Sequence, residues 1–232
     1  MKTSQPIAAD LTLRAQAYRK FVDALVSRNI KPGEFVTQKK LVELTGFPLG
    51  AVREMIPRLE SDGLISTLNR RGLQVAHVDV DLVRNVYQLR LIIEKEAVVQ
   101  YIRSASDDDI RKIAQGHRSI LKQIANTTRV PQAIADEAQA LDWDFHDTII
   151  ESMHNEVVSN VYRVNSIKIR LTYQDRLRLT SQNLTRVMAE HMAVIEAIKN
   201  RDEAAAVAAI TFHIETSRAV ALGDDRSART LL

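Results

Sequence analysis

Only two helix-breaking residues, Gly116 and Pro131, stand between Leu73 and Leu222, so long helices meet almost no obstacle across that stretch. Most of the other breakers crowd upstream, where Gly33, Gly46, Gly50, Gly63 and Gly72 are joined by Pro32, Pro48 and Pro57. A chain of 232 residues punctuated in this way reads as mainly α and as two domains, a turn-rich head over 1–78 and a helical body over 79–232. Charge divides at the same place. The head carries 12 Lys/Arg against 7 Asp/Glu and the body 20 against 22, which suits the head to a polyanion such as nucleic acid. The absence of cysteine excludes disulfides, thiolate metal sites and a cysteine nucleophile, leaving His and carboxylates for any metal. No apolar run approaches the roughly 18 residues of a membrane span, and the polar start lacks a signal core. A cytoplasmic chain with no membrane partner is expected.

Within the head, Leu13, Ala17, Phe21, Leu25 and Val26 recur at helical spacing and predict a helix over 11–29, closed by a turn at 31–34. Thr37 can cap a second helix over 38–44, with Gly46 supplying the left-handed residue that ends it. A third helix is predicted over 48–62, burying Val52, Met55, Ile56 and Leu59. Pro57 should kink it, because it removes the amide that would bond the Arg53 carbonyl. The period then switches to alternation and predicts strands at 65–68 and 74–78, around a tip that carries Arg70 and Arg71. Three helices and a basic hairpin make a winged helix-turn-helix.

The body reads as helices over 80–104, 107–127, 131–153, 155–177, 182–200 and 202–221. Short connections predict an all-helical antiparallel bundle in which consecutive helices are neighbours. The chain has no Gly-rich phosphate loop, nucleophile elbow or Walker motif, which argues against a nucleotide-driven enzyme. Asp142 and His146 lie four apart and share one helix face. His191 stands ten residues before Arg201 and His213 twelve after it, so across a helical hairpin turning there the two imidazoles sit within about 3 Å of one level. Apolar neighbours on their stripes point both inward. Each could be a satisfied core histidine, yet three His and an Asp converging in one bundle are costly without a ligand. His77, His117 and His154 read as ordinary.

The head resembles the GntR-type transcription regulators through PGE at 32–34, LVELTG at 41–46, AVREMIPRLESDGLI at 51–65 and RRG at 70–72. That resemblance implies double-stranded operator DNA as partner, with the third helix in the major groove. Where the family usually reads Ser-Arg-x-Pro, this chain has Pro48, Leu49, Gly50 and Ala51, so Leu49 replaces a usual DNA-contacting arginine. Leu49 and Gly50 open the reading helix, and Arg53 is the long cation left to fork onto guanine. The plain alternative for Arg53 is a surface ion pair with Glu54 or Glu60, worth little. Lys39 and Arg58 are expected at phosphates, and the wing tip Arg70, Arg71 and Gly72 at phosphates or the minor groove.

The body in turn resembles the helical effector domain of the FadR-like branch, the FCD domain. The residues that carry this are the run Val86 to Arg90 followed by Glu94, the DWDFH run from Asp142 to His146, Asn155, the stretch from His191 to Asp202, and His213. It implies a divalent metal held by Asp142, His146, His191 and His213, with Zn²⁺ the first choice and Ni²⁺ or Mn²⁺ compatible. It also implies a homodimer and a small effector, often a carboxylate, contacted by Arg90 and Asn155. A helical ion pair with Glu94 is the alternative role for Arg90. The expected function is a ligand-responsive DNA-binding transcription regulator, a repressor and not an enzyme. Two alternatives keep the same residues: a metal-dependent hydrolase, and a metalloregulator that senses the metal itself.

Overall fold

The computed structural model describes residues 12–68, 72–125, 127, 129–172, 179 and 183–224. Among them are nine α-helices and one three-stranded sheet, distributed over two compact units, Met1–Val78 and Asp79–Leu232.

In the first unit, α1 (Leu13–Val26), α2 (Gln38–Thr45) and α3 (Leu49–Ser61) enclose a solvent-free core of Phe21, Leu25, Leu41, Val52, Met55 and Leu59. The Thr37 hydroxyl accepts the Lys40 amide at 3.1 Å to start α2, and Gly46 ends it at φ 74°. The third helix runs on through Pro57 to Ser61. The wing is β2 (Ile65–Leu68) paired antiparallel with β3 (Gly72–Val75), so the second strand starts two residues earlier than alternation predicts. A third strand, β1 (Phe35–Val36), pairs with the other edge of β3 and was not expected, because two residues are too few to show a period. It follows the turn at Gly33, whose φ of 77° favours glycine and whose missing Cβ leaves room for the His77 ring, 2.7 Å from where that atom would stand. The wing tip at 69–71, with Arg70 and Arg71, lies outside the described residues.

The second unit comprises α4 (Val80–Ser104), α5 (Asp107–Ile124), α6 (Gln132–Glu151), α7 (Glu156–Thr172), α8 (Leu184–Lys199) and α9 (Glu203–Ala221). Asp79, the Ser106/Asp109 capping box and Asp202 start α4, α5 and α9 by accepting otherwise orphaned amides. Consecutive helices are not always neighbours, which corrects the expectation from loop length. The 25-residue α4 packs on α6, α7 and α9, whereas α5 packs on α6 and α8. One corner shows how the two turns are joined. Arg201, in the α8–α9 turn, donates to the carbonyls of Ile102 and Ala105 at 2.5 and 2.9 Å and to Asp107 at 2.8 Å. That clamp joins the α4–α5 corner to the α8–α9 turn, in a bundle where α9 lies along α4 and α8 along α5. At the centre of the bundle α4 presents Val83, Val86, Tyr87, Arg90, Glu94, Ala97, Val98 and Tyr101 as one buried stripe, and two of those residues are charged.

Candidate metal centre

The bundle brings Asp142 and His146 of α6, His191 of α8 and His213 of α9 together, each offering a ligand atom within 4.8 Å of the others. All four are buried. The level pairing across the α8–α9 hairpin puts His191 Nε2 3.3 Å from His213 Nε2.

The hydrogen bonds around this cluster dictate where each imidazole proton sits. The Ile113 carbonyl can only accept, so His117 Nδ1, 2.8 Å away, must carry the proton. The neutral His117 ring then accepts at Nε2 from His191 Nδ1, 3.1 Å away, which leaves His191 Nε2 as a bare lone pair. His213 Nδ1 donates to Glu190 Oε2 at 2.8 Å, so its Nε2 is bare as well. Burial pushes the pKa values of His117, His191 and His213 below that of an ordinary imidazole, and the neighbouring imidazoles and Arg90 push His191 further. Asp142 receives one bond, from Gln139 at Oδ2, while its Oδ1 is buried with no partner among the described residues and lies 3.4 Å from His191 Nε2. Two lone pairs and a carboxylate oxygen therefore face one another with no hydrogen between them. An arrangement of acceptors without a donor fits a cation, and imidazole nitrogens with one carboxylate suit a borderline divalent ion. Glu190 and His117 hold the ring orientations from behind, as outer partners of metal-bound histidines do.

His146 is held differently. Its Nδ1 donates to Glu94 Oε2 at 2.7 Å, and its Nε2 accepts from Arg90 NH2 at 2.5 Å. Arg90 also binds Glu94 Oε1 through Nε at 2.6 Å, and the Tyr162 hydroxyl donates to the same oxygen at 2.6 Å. Burial alone would raise the Glu94 pKa, but Arg90 and His146 hold it well below the usual carboxylate range. Of the two sequence readings of Arg90, the structure shows the helical ion pair with Glu94, and the same side chain lies against the cluster through His146. Asn155 is elsewhere. It is exposed, and its Oδ1 caps α7 by accepting the amides of Val157 and Val158 at 3.1 and 3.2 Å. His117 was read as ordinary, yet it orders the cluster. Its signal was a histidine on the buried stripe Ile110, Ala114, Ile120 and Ile124 of α5.

Because burial depresses these imidazole pKa values, the folded metal-free chain binds fewer protons than the unfolded one. Stability is complete above the ordinary imidazole value of 6.5 and is lost as pH falls from there toward the folded values. Each imidazole that titrates contributes roughly 1 kcal/mol per pH unit. The urea midpoint of the chelator-stripped chain should therefore fall clearly between pH 7.5 and 5.5, and a flat profile would contradict neutral buried rings.

In the head, Leu49 and Gly50 stand exposed on the first turn of α3, and Lys39 is exposed on α2. Arg53 is exposed and donates from Nε to Gln38 at 3.0 Å rather than pairing with Glu54 or Glu60. Gly72 is exposed at the start of β3. Arg58 is exposed, with its guanidinium 4.6 Å over the Tyr18 ring and 3.9 Å from Asp62.

Comparison with known proteins adds sequence and fold relatives. The FCD domain model matches residues 85–216. YdhC, an HTH-type transcriptional regulator of Bacillus subtilis (strain 168), is 24% identical over 200 residues, covering 85% of this chain and 86% of its own. The gluconate operon transcriptional repressor of the same organism is 25% identical over 186 residues, 78% and 73% of the two chains. Among solved structures, E. coli McbR/YncC superposes with a TM-score of 0.73 at 15% identity over 92% of this chain and 98% of that one. The metal-free FCD domain of a transcriptional regulator does so with a TM-score of 0.53 at 18% identity, over 66% and 99%.

Proposed function

The chain belongs to the FCD-domain family of GntR-type transcription regulators, and from that premise we propose that its body holds a divalent metal and a small carboxylate effector which together set its affinity for operator DNA. The observation that carries this reading is the set of acceptors facing one another at His191 Nε2, His213 Nε2 and Asp142 Oδ1. His146 completes the four ligands, and Zn²⁺ is the first choice of ion. Such an ion supplies a Lewis-acidic anchor for one oxygen of an effector. Arg90 is buried beside that position and can offer a charge-assisted N–H to the same carboxylate. The described residues contain no helix long and apolar enough to cross a membrane. The hydrolase alternative finds no support among the relatives, which are named transcriptional regulators.

On the DNA side, the chain acts as a homodimeric repressor on a palindromic operator, with the exposed first turns of α3 reading bases. Arg53, Leu49 and Gly50 contact bases, Lys39 contacts phosphate, and Arg70, Arg71 and Gly72 serve the wing. Arg53→Ala should leave folding intact and remove sequence preference, with specific binding weakened by about 1–3 kcal/mol. A footprint with undiminished preference would sink that role. The function as a whole is tested by titrating small acids into the zinc-loaded chain with and without operator. Linkage requires that an effector lower operator affinity and that operator lower effector affinity by the same factor. An acid that binds equally in both states is not the effector.

A further inference from the structure

Beside the cluster lies a narrow recess lined by Arg90, Asp142, Trp143, Tyr162, Ser166 and Arg170 among others. Trp143 and Asp147 follow Asp142 and His146 by one residue each on α6, so they sit about 100° further round the helix, toward α7. There Arg170 stacks its guanidinium 4.4 Å over the Trp143 ring and donates from NH2 to Asp147 at 3.1 Å. This rigid pair leaves two donors unused. Trp143 Nε1 and Arg170 Nε are both buried and have no partner among the described residues. Buried N–H groups are nearly always paired, and here the two that are not belong to neighbouring side chains on the wall of one recess. Asp142 Oδ1, the unpartnered acceptor of the cluster, belongs to the same wall. The recess thus offers a cation-seeking acceptor on one face of α6 and a cationic pair of N–H donors on the next.

We propose that Trp143 and Arg170 form a distal subsite that takes the second carboxylate of a small dicarboxylate whose first carboxylate lies at the metal cluster. The proposal rests on the reading of the cluster as the effector's anchor. Its own content is the specificity of the far end. Arg170 brings the charge, Trp143 brings a neutral donor, and Asp147 holds the guanidinium in place. A ligand ending in a methyl group would leave both donors unsatisfied. A dicarboxylate satisfies both with charge-assisted bonds.

Succinate and butyrate share a four-carbon chain and differ by one carboxylate, so their comparison isolates the distal contact. Calorimetric titration of the zinc-loaded chain should give succinate about 10- to 100-fold tighter binding than butyrate, the range for a hydrogen bond to a charged group. Trp143 is the sole tryptophan of the chain, so its emission reports directly on its N–H, and succinate but not butyrate should change it. Trp143→Phe keeps the ring under Arg170 and removes the donor, and Arg170→Gln removes the charge. Each should bring succinate toward the butyrate value, leave butyrate unchanged and leave zinc affinity unchanged, the last showing that the cluster is intact. Equal affinity for the two acids, or variants that weaken both acids alike, would overturn the distal subsite and leave the anchor reading standing. Failure of every small acid to bind the zinc-loaded chain would overturn both.

Discussion

Loading the wild-type chain with zinc should raise its unfolding temperature by on the order of 10 °C over the chelator-stripped protein. At a free ion concentration a thousandfold above Kd, binding to the folded state alone is worth about 4 kcal/mol, and a chain of this size gains roughly 2–4 °C per kcal/mol. Asp142→Ala is the decisive variant, because its effect should change sign with the metal. In the stripped protein Asp142 Oδ1 is a buried acceptor with no partner among the described residues, set 3.4 Å from the bare Nε2 of His191. Removing it relieves that conflict at the cost only of the Gln139 contact. The stripped variant should therefore equal or exceed the stripped wild type. With zinc present the order reverses, since the variant lacks its carboxylate ligand and responds weakly or not at all. His213→Ala should abolish the zinc response too, but it also deprives Glu190 Oε2 of a buried donor and so lowers stability in both states. A wild-type melting temperature indifferent to chelator would reduce the four residues to polar core groups.

Much of this architecture was legible because its signals are local. The scarcity of breakers after Leu73 marked the helical body, and Thr37 with Gly46 marked both ends of α2 through capping that depends on adjacent residues alone. His191 and His213 could be paired because one hairpin sets their level, and helix rise is a constant. What stayed hidden depends on contacts between elements distant in sequence. The packing of α4 on α9 rather than α5, and the clamp of Arg201 on the α4–α5 corner that accompanies it, join residues nearly a hundred positions apart. The roles of His117 and Glu190 as the partners that set imidazole protonation are equally non-local. Their only trace in the sequence is a polar side chain standing where an apolar stripe calls for an apolar one. Asn155 carries a local signal of the first kind, since an Asn just before a helix already describes a cap, and its Oδ1 accepts the amides of Val157 and Val158.

Arg90→Gln should tighten zinc binding and weaken the metal-free fold, two opposite effects from one substitution. In the structure the Arg90 guanidinium donates at 2.5 Å to His146 Nε2, the nitrogen that would otherwise face the ion. It therefore acts as an internal cation that must release His146 before the fourth ligand is available. Even after release it remains a buried positive charge close to a divalent one, and like unit charges 4 Å apart repel by about 4 kcal/mol at an effective dielectric of 20. Removing the charge should tighten zinc by about 10- to 100-fold, equivalent to roughly 1.4–2.8 kcal/mol of that repulsion. The metal-free fold loses instead, because Glu94 keeps its bonds from His146 and Tyr162 but is left as a fully buried carboxylate without its counter-ion. A few kcal/mol is the expected cost, enough to lower the urea midpoint plainly. Carboxylates give the third arm. An acid bound beside the cluster would neutralise Arg90 and the metal together, so acetate should strengthen zinc binding to the wild type and lose that effect in Arg90→Gln. Zinc affinity measured by competition with a chromophoric chelator, with and without acetate, decides the matter. Weaker zinc binding in Arg90→Gln at every acetate concentration would show that the arginine supports the ion rather than opposes it.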